Sequence, residues 1–202
     1  MQQKPKIALL LPVYGAIPSI CFVNLVNFIL DSLRSFPMTV SFVDSTYLPR
    51  ARNMLVENFL KSGADYALFV DSDMLLPKNA VETLLGHGKV VVSAHYFRRN
   101  PPYESVAQRK AGEKYETIPE PSLGDEFEAD ATGMGCMLVK REVIEKLAQQ
   151  KPIFTVEDKE NSSVKGEDVI FCDKIKAAGY KIWVSKKVRA GHFGGIVFPA
   201  KP

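Results

Sequence analysis

The sequence predicts an α/β fold in which a central, mostly parallel sheet is flanked by helices. First, short apolar runs alternate with helical segments over the first half of the chain, and such alternation implies parallel strands with helices on both faces. Second, the apolar runs end abruptly in polar residues, as at Asp44 and Asp71. Third, 202 residues with a hydrophobic content of 46% suit one domain with a buried core that needs no disulfide or structural metal.

Each element follows from a local pattern. Strands are predicted where short runs are apolar or β-branched, at residues 7–11, 39–43, 66–70, 89–94, 128–139 and 181–184. Helices are predicted at residues 19–33, 50–62, 79–85, 141–149 and 167–178. Ser19 is expected to cap the first helix, and Gly63 and Gly179 are expected to end two others.

Two segments lack a regular pattern. Residues 97–125 are polar and rich in Pro and Lys, and we expect them to be irregular. Residues 157–166 are charged and have little to bury. We expect this second segment to be mobile without a ligand and ordered with one, as a lid over a site.

Composition argues against nucleic acid as a partner. The formal net charge is only +3, and the basic residues are scattered rather than gathered on one face. The pairs Arg98-Arg99 and Lys186-Lys187 are interpreted as solvated surface.

The most apolar stretch, residues 17–33, is interrupted by Pro18, Asn24, Asn27 and Asp31. A membrane span needs about 20 nearly uninterrupted apolar residues. We therefore predict no transmembrane segment here, but a buried amphipathic helix with Asn and Ser on its polar side.

The cysteines are Cys21, Cys136 and Cys172, and they form no CxxC pair. Their odd number suits reduced thiols, so we expect buried, unpaired cysteines and a cytoplasmic location. The sequence carries no signal for an oligomeric state.

The sharpest candidate for chemistry is Asp71-Ser72-Asp73, directly after a buried strand. Alternation sends both carboxylates toward one side, at the strand end where α/β sheets bind ligands. Two close negative charges repel, and a divalent cation resolves that repulsion. Mg²⁺ and Mn²⁺ favour carboxylate oxygen and often share their shell with substrate phosphates. The alternative is a turn, because Asp and Ser are common turn residues.

Two further candidates lie late in the chain. Glu167 and Asp168 begin a predicted helix, where the macrodipole favours negative charge. They are therefore either a functional carboxylate pair or residues that only stabilise the helix. His192 lies in a glycine-flanked segment and is either a ligand or structural. His87 and His95 are expected to pack at the surface or in the core.

Six segments resemble, in order along the chain, motifs of GT-A glycosyltransferases, especially family 2-like members. They are LLPVYG (10–15), RARN (50–53), LFVDSDMLLP (68–77), ATGMGCMLV (131–139), GEDVIFC (166–172) and GHFG (191–194). The third resembles the DxD segment, the fifth the GED helix start, and the last the segment with a late metal-ligating His. The resemblance implies a GT-A-like, Rossmann-like fold, a nucleoside-diphosphate sugar donor and Mn²⁺ or Mg²⁺.

The resemblance also implies roles on the metal and acceptor sides. Asp73 would be a direct metal ligand and His192 would complete the metal shell. Asp71 would contact a metal-bound water or the nucleotide ribose. Asp168 would be the general base that deprotonates the acceptor hydroxyl, and Glu167 would hold another acceptor hydroxyl.

Further residues are expected on the nucleotide side. The loop with Pro12, Tyr14 and Gly15 can approach the nucleotide closely because of its Gly and its fixed Pro. Asp44, at a strand end, can accept a hydrogen bond from the base or ribose, although a strand-end turn explains it equally. Arg52 is expected to face the diphosphate. Its alternative is a place on a solvated helix face near Glu57, at a spacing that is poor for an ion pair.

We therefore expect residues 1–95 to bind nucleotide and metal and residues 96–202 to bind the acceptor and carry catalysis. Direct displacement assisted by Asp168 would invert the anomeric centre, and a retaining enzyme of the same fold is an alternative. A sugar-nucleotide pyrophosphorylase would want a Gly-rich phosphate loop after the first strand, which residues 12–15 do not form. A non-catalytic nucleotide-sugar-binding protein is a further alternative.

Overall fold

A computed structural model describes residues 4–119, 124–158, 164–194 and 197–198. Within these ranges the strands are β1 Ile7–Val13, β2 Met38–Asp44, β3 Tyr66–Val70, β4 Met74–Leu75, β5 Val91–His95, β6 Gln108–Ala111, β7 Lys114–Thr117, β8 Glu126–Ala129, β9 Cys136–Lys140, β10 Glu157–Asp158, β11 Val164–Lys165, β12 Ile182–Arg189, β13 Gly191–Phe193 and β14 Val197–Phe198. The helices are α1 Ser19–Leu33, α2 Leu48–Ser62, α3 Ala80–Gly86, α4 Arg141–Leu147 and α5 Glu167–Ala177.

Seven of the described strands form the central sheet, in the order β2-β1-β3-β9-β5-β12-β8. β1 is parallel to β2 and β3, and β12 is parallel to β5. β9 lies between β3 and β5 and is antiparallel to both, and the edge strand β8 is antiparallel to β12. The prediction of a mostly parallel sheet is confirmed. Because β9 sits among strands of the first half, the predicted halves share one sheet, and their division by role stays a prediction.

Helices cover both faces of this sheet, as predicted. Alternation along β1 sends Ala8 and Leu10 into one apolar cluster, with residues of α2, α4 and α5. Ile7, Leu9 and Leu11 enter a second cluster, with residues of α1 and α3. The hydrophobic effect on both faces therefore holds three layers together.

Most predicted elements are present with shifted ends. α2 begins earlier than expected because Pro49, near its start, fits the first turn of a helix. Gly63 ends this helix in a left-handed conformation with φ of 65°, as predicted. The expected Ser19 cap is wrong: the helix begins at Ser19 itself after Pro18, and no side-chain hydrogen bond caps it in the described structure.

Three predicted segments differ from the structure. Residues 97–125 were expected to be irregular but contain the β6–β7 hairpin, whose side chains are mostly exposed and so lack an apolar pattern. Residues 128–139 contain parts of two strands, β8 and β9, that lie apart in the sheet. The predicted lid at 157–166 begins and ends in the short paired strands β10 and β11, and its residues 159–163 lie outside the described residues.

Helix α1 buries apolar residues such as Leu25 and Phe28, as expected, but its polar residues are not confined to the outer face. Asn24 faces inward, where its side chain accepts from the Leu76 amide at 2.7 Å and donates to the Leu76 carbonyl at 3.1 Å. Ser32 is also buried. Exposed apolar side chains lie on the outer face, namely Ile20, Phe22, Val23, Val26, Leu30 and Leu33. No helix in the described ranges has both the length and the apolar character to cross a membrane.

A small second sheet, in the order β14-β13-β4, joins the late part of the chain to the segment after β3. His192 pairs with Met74, and the Phe193 N–H donates to the Asp73 carbonyl at 2.8 Å. This backbone ladder places the side chains of His192 and Asp73 next to each other although they are 119 positions apart in sequence.

Arg52 is a charged side chain in the interior, only 2% exposed. Its Nη2 donates to Asp71 Oδ1 at 2.7 Å and its Nη1 to Glu167 Oε1 at 2.5 Å. Burial by itself lowers the pKa of Arg52, but the two carboxylates outweigh burial and raise it. The alternative position beside Glu57 on a solvated face is therefore wrong, because the guanidinium points inward and ties α2 to β3 and α5.

Replacement of Arg52 should destabilise the fold strongly. Arg52→Met leaves Asp71 and Glu167 close together without their cation, and we expect a loss of about 3 kcal/mol or more in the free energy of unfolding. Urea denaturation measures this loss. The control is Arg50→Met on the exposed side of the same helix, with an expected change within about 0.5 kcal/mol. Equal stability of the two variants would contradict the structural role of Arg52.

Candidate functional site

A cavity of about 860 Å³, called here the smaller cavity, opens at the carboxyl ends of β1 and β3. Pro12 borders it from the last residues of β1, Tyr14 from the loop that follows, and Asp71 and Asp73 from the segment after β3. Open α/β sheets bind ligands at this end of their strands. The structure thus brings together part of the predicted nucleotide loop and both acidic residues of the DxD segment.

A second cavity of about 960 Å³, the larger cavity, lies beside it. Glu167 and Asp168 from the start of α5 border it, together with Arg52 and Tyr115. The residues that border both cavities are Leu48, Asp71, Arg99, Asn100 and His192. The predicted catalytic pair therefore borders the larger cavity and Asp73 the smaller one, while Asp71 and His192 lie where the two cavities meet.

Asp44 and Gly15 form the outer part of the loop after β1. The Gly15 N–H donates to Asp44 Oδ1 at 3.3 Å, and Gly15 has a φ of 69°, which only glycine adopts readily. Asp44 thus holds the loop, and its direct contact with a base or ribose stays a prediction.

Asp71 and Asp73 have different partners in the structure. Asp71 binds Arg52, whereas Asp73 Oδ2 lies 2.7 Å from Arg99 Nη1 and 3.3 Å from His192 Nε2. Burial by itself raises the pKa of Asp73, but the hydrogen bond from His192 and the charges of His192 and Arg99 lower it. Each carboxylate is therefore neutralised by a cationic side chain of the protein.

The hydrogen bonds of His192 indicate which of its two ring nitrogens carries a proton. Nδ1 lies 3.1 Å from the Phe97 carbonyl, which only accepts, so Nδ1 carries a proton and donates it. Nε2 then offers either a proton or a lone pair toward Asp73. Although burial lowers the pKa of His192, the hydrogen bond and charge of Asp73 raise it, which favours the protonated form. A carbonyl on the other nitrogen is the usual second partner of a metal-binding histidine.

These contacts test whether the residues fit a divalent cation. Within the described ranges no group of three or more His, Cys, Asp or Glu side chains surrounds one point. Asp73 and His192 offer one oxygen and one nitrogen, and Asp71 is directed to Arg52. This set fits an ion that takes its other ligands from substrate phosphates and water, as Mg²⁺ commonly does, rather than an all-protein cage. The metal role of Asp71, Asp73 and His192 stays a prediction.

Asp168 is held at the start of α5. Its Oδ1 accepts the Val169 N–H at 2.7 Å, and a Cβ on Gly166 would lie 2.8 Å from the same oxygen. Glycine at position 166 therefore leaves room for this carboxylate. Burial raises the pKa of Asp168, and Arg52 partly opposes that shift. The result is a carboxylate with raised basicity on the wall of the larger cavity.

Tyr96 was not recognised in the sequence. It directly follows β5, it is buried, and its hydroxyl accepts the Gly135 N–H at 2.8 Å. A Cβ on Gly133 or Gly135 would overlap its ring or hydroxyl, so the two glycines of this segment make room for Tyr96. A tyrosine directly after a strand and the Gly-x-Gly spacing are both visible in the sequence. Their contact joins residues 39 positions apart, so the sequence pattern alone does not predict it.

Asn53 and Tyr115 also have roles that sequence patterns did not indicate. Asn53, the last residue of the RARN segment, hydrogen-bonds the backbone of Ile153 and Phe154. Tyr115 on the hairpin and Lys165 before α5 both bind the Asp173 carboxylate. The contacts with Asp173 hold Tyr115 and Lys165, which both border the larger cavity, against α5.

The other histidines pack as expected. His87 lies between Ser185 Oγ, 2.7 Å from Nε2, and Glu126 Oε2, 2.5 Å from Nδ1. This order resembles a hydrolytic triad, but Ser185 is fully buried and cannot meet a substrate. His95 is buried and its Nε2 lies 3.1 Å from Ser105 Oγ. The cysteines are buried and free, as expected.

Comparisons with known proteins bear on the fold. No protein-family model and no curated protein matches the sequence. Among solved structures, A197 from STIV is similar with a TM-score of 0.63 and 20% identity over 94% of this chain and 86% of that one. UDP-glucose pyrophosphorylase complexed with UDP-glucose has a TM-score of 0.51 and 11% identity over 91% of this chain and 90% of that one. Its apo form has a TM-score of 0.50 and 10% identity over 94% of this chain and 93% of that one. At these identities the likeness shows the fold alone, and the chain therefore has a Rossmann-like α/β fold similar to those of A197 and UDP-glucose pyrophosphorylase.

Proposed function

We propose that the chain is a metal-dependent glycosyltransferase that moves a sugar from a nucleoside-diphosphate sugar to an acceptor hydroxyl. The observation that carries the proposal is the meeting of two cavities at Asp71 and His192, with Asp73 in one and Asp168 in the other. A two-substrate transfer needs two adjoining binding spaces with a base on the acceptor side. The order of the GT-A-like motifs along the chain supports the same assignment.

The smaller cavity is the proposed donor site. Pro12 lies at the end of β1 and Tyr14 and Gly15 lie in the loop that follows, so a nucleotide would lie at the sheet end used by other α/β folds. A solved structure of similar fold, UDP-glucose pyrophosphorylase, is complexed with UDP-glucose, which supports a nucleotide sugar as ligand. Buried free thiols suit a reducing compartment, and we propose the cytoplasm.

The larger cavity is the proposed acceptor site, and Asp168 is its base. The Asp168 carboxylate takes the proton of the acceptor hydroxyl while that oxygen bonds to the anomeric carbon. The bond from the anomeric carbon to the phosphate oxygen breaks, and the nucleoside diphosphate leaves. One such displacement inverts the anomeric centre.

Other side chains keep this arrangement in place. Arg52 holds Glu167 and Asp71, so it fixes the start of α5 against the end of β3. Glu167 is proposed to hold a second acceptor hydroxyl through its other carboxylate oxygen. Asp73 and His192 would hold the cation, which when bound supplies positive charge to the departing diphosphate.

The pyrophosphorylase alternative shares the fold and predicts a different product. A pyrophosphorylase would convert a nucleotide sugar and pyrophosphate into nucleoside triphosphate and sugar phosphate. A transferase would release nucleoside diphosphate, by transfer or slow hydrolysis. A retaining transferase would differ in the anomer of its product, and a binding protein would release nothing.

Donor binding should stabilise the protein in the presence of metal. A panel of nucleotide sugars, each with and without Mn²⁺, is screened by thermal shift. A matching donor at 100 times its dissociation constant should add about 2.7 kcal/mol of stability. Chromatography of the products with the best donor then separates the alternatives. Nucleoside triphosphate formed from added pyrophosphate would refute the transferase assignment.

Asp73→Asn should remove the Mn²⁺-dependent part of nucleoside diphosphate binding while the fold survives, because Asn keeps the size but loses the charge. Titration calorimetry with and without Mn²⁺ measures the effect. His192→Ala tests the second ligand in the same assay. If Asp73→Asn binds Mn²⁺ and nucleotide as tightly as the wild type, the DxD assignment is wrong, and unchanged metal affinity in His192→Ala returns His192 to a structural role.

Asp168→Asn should lower turnover by about 10²–10⁴-fold, or about 3–5 kcal/mol of barrier, because the general base is lost. Donor affinity and stability should change little, since Asn keeps the oxygen that accepts the Val169 N–H. Because burial raises the pKa of Asp168, wild-type turnover should fall as pH drops through that raised value, and the variant should lose this dependence. Near-normal turnover of the variant would exclude Asp168 as base and point to Glu167.

A further inference from the structure

Arg99 binds the carboxylate of Asp73, the residue proposed as the direct metal ligand. Its Nη1 lies 2.7 Å from Asp73 Oδ2, and this is the same oxygen that His192 Nε2 approaches to 3.3 Å. The sequence had suggested only solvated surface for this arginine. The structure corrects that interpretation, because the side chain forms an ion pair with a candidate metal ligand.

The Arg99 side chain is also free to move. It is 52% exposed, so little packing opposes its departure from Asp73. A guanidinium and a divalent cation at one carboxylate oxygen repel each other. Entry of a metal at Asp73 and His192 therefore requires that Arg99 move away.

A guanidinium displaced from Asp73 would lie close enough to bind a ligand in the smaller cavity. Arg99 borders both cavities, at the wall where they meet. Guanidinium groups bind phosphate oxygens well, often through two parallel hydrogen bonds. A donor diphosphate in the smaller cavity would offer such oxygens to an arginine that has left Asp73.

We propose that Arg99 is an exchangeable counter-ion, which neutralises Asp73 in the empty site and moves to the donor diphosphate when the metal takes its place. This inference rests on the proposed function, because it requires metal and diphosphate in the smaller cavity. Arg99 therefore weakens metal binding when no diphosphate is present, and it strengthens the binding of the diphosphate. Metal and diphosphate then favour each other's binding, because each favours the same displaced position of Arg99.

The test is a pair of affinities whose changes have opposite signs. Mn²⁺ affinity without nucleotide is measured by electron paramagnetic resonance of free Mn²⁺, and affinity for uridine diphosphate at saturating Mn²⁺ by calorimetry. For Arg99→Gln we expect Mn²⁺ alone to bind about tenfold more tightly and the diphosphate about tenfold more weakly, since each change removes one charge-assisted contact. Because Arg99 is exposed, we expect Arg99→Gln to fold like the wild type, and circular dichroism verifies that its secondary structure is unchanged.

Arg98→Gln is the matched control. It removes the same charge from the neighbouring position, and Arg98 makes no ion pair within the described part of the chain. Its Mn²⁺ affinity should equal that of the wild type. If Arg99→Gln behaves like Arg98→Gln, or if both affinities shift in the same direction, the exchange is wrong while the proposed function stands. A wild-type protein that binds neither Mn²⁺ nor any nucleoside diphosphate would overturn both.

Discussion

The paired contacts of Arg52 are the interaction on which the candidate site depends. One guanidinium, almost without solvent, joins the carboxylate that follows β3 to the carboxylate that begins α5. These two elements carry the walls of the smaller and larger cavities. A lysine would offer a compact charge without the planar fork, so only arginine can hold both partners in fixed directions. The geometry between the two chambers therefore originates in one buried cation.

Charge in the site is balanced by the protein before any ligand arrives. Asp71 has Arg52, and Asp73 has Arg99 and His192. The two arginines differ in freedom, since Arg52 is buried and Arg99 is half exposed. A buried pair is costly to break, whereas an exposed pair contributes little. The site thus combines a buried counter-ion at Asp71 with a half-exposed counter-ion at Asp73.

Sequence patterns predicted the strands and helix ends that depend on residues close together in the sequence. Apolar runs marked β1, β3 and β5, and glycines marked helix ends, because burial and left-handed backbone leave a trace in neighbouring residues. The β6–β7 hairpin left no such trace, since its side chains are mostly exposed. The inward Asn24, the pair of Tyr96 with Gly135 and the contact of Arg99 with Asp73 depend on partners from distant segments. The order of the motifs predicted roles for Asp168 and His192, and only the folded chain shows which groups each one contacts.

The antiparallel strand β9 has a consequence for synthesis and for dissection of the protein. It fills the gap between β3 and β5, and β5 pairs on its other side with β12. The first half of the chain alone therefore leaves one edge of β3 and both edges of β5 unpaired. Such edges invite association with other chains. We therefore expect the first half, expressed alone, to associate with other chains rather than to fold as a separate module. The central sheet can be continuous from β2 to β12 only when residues 136–140 and 182–189 are both present.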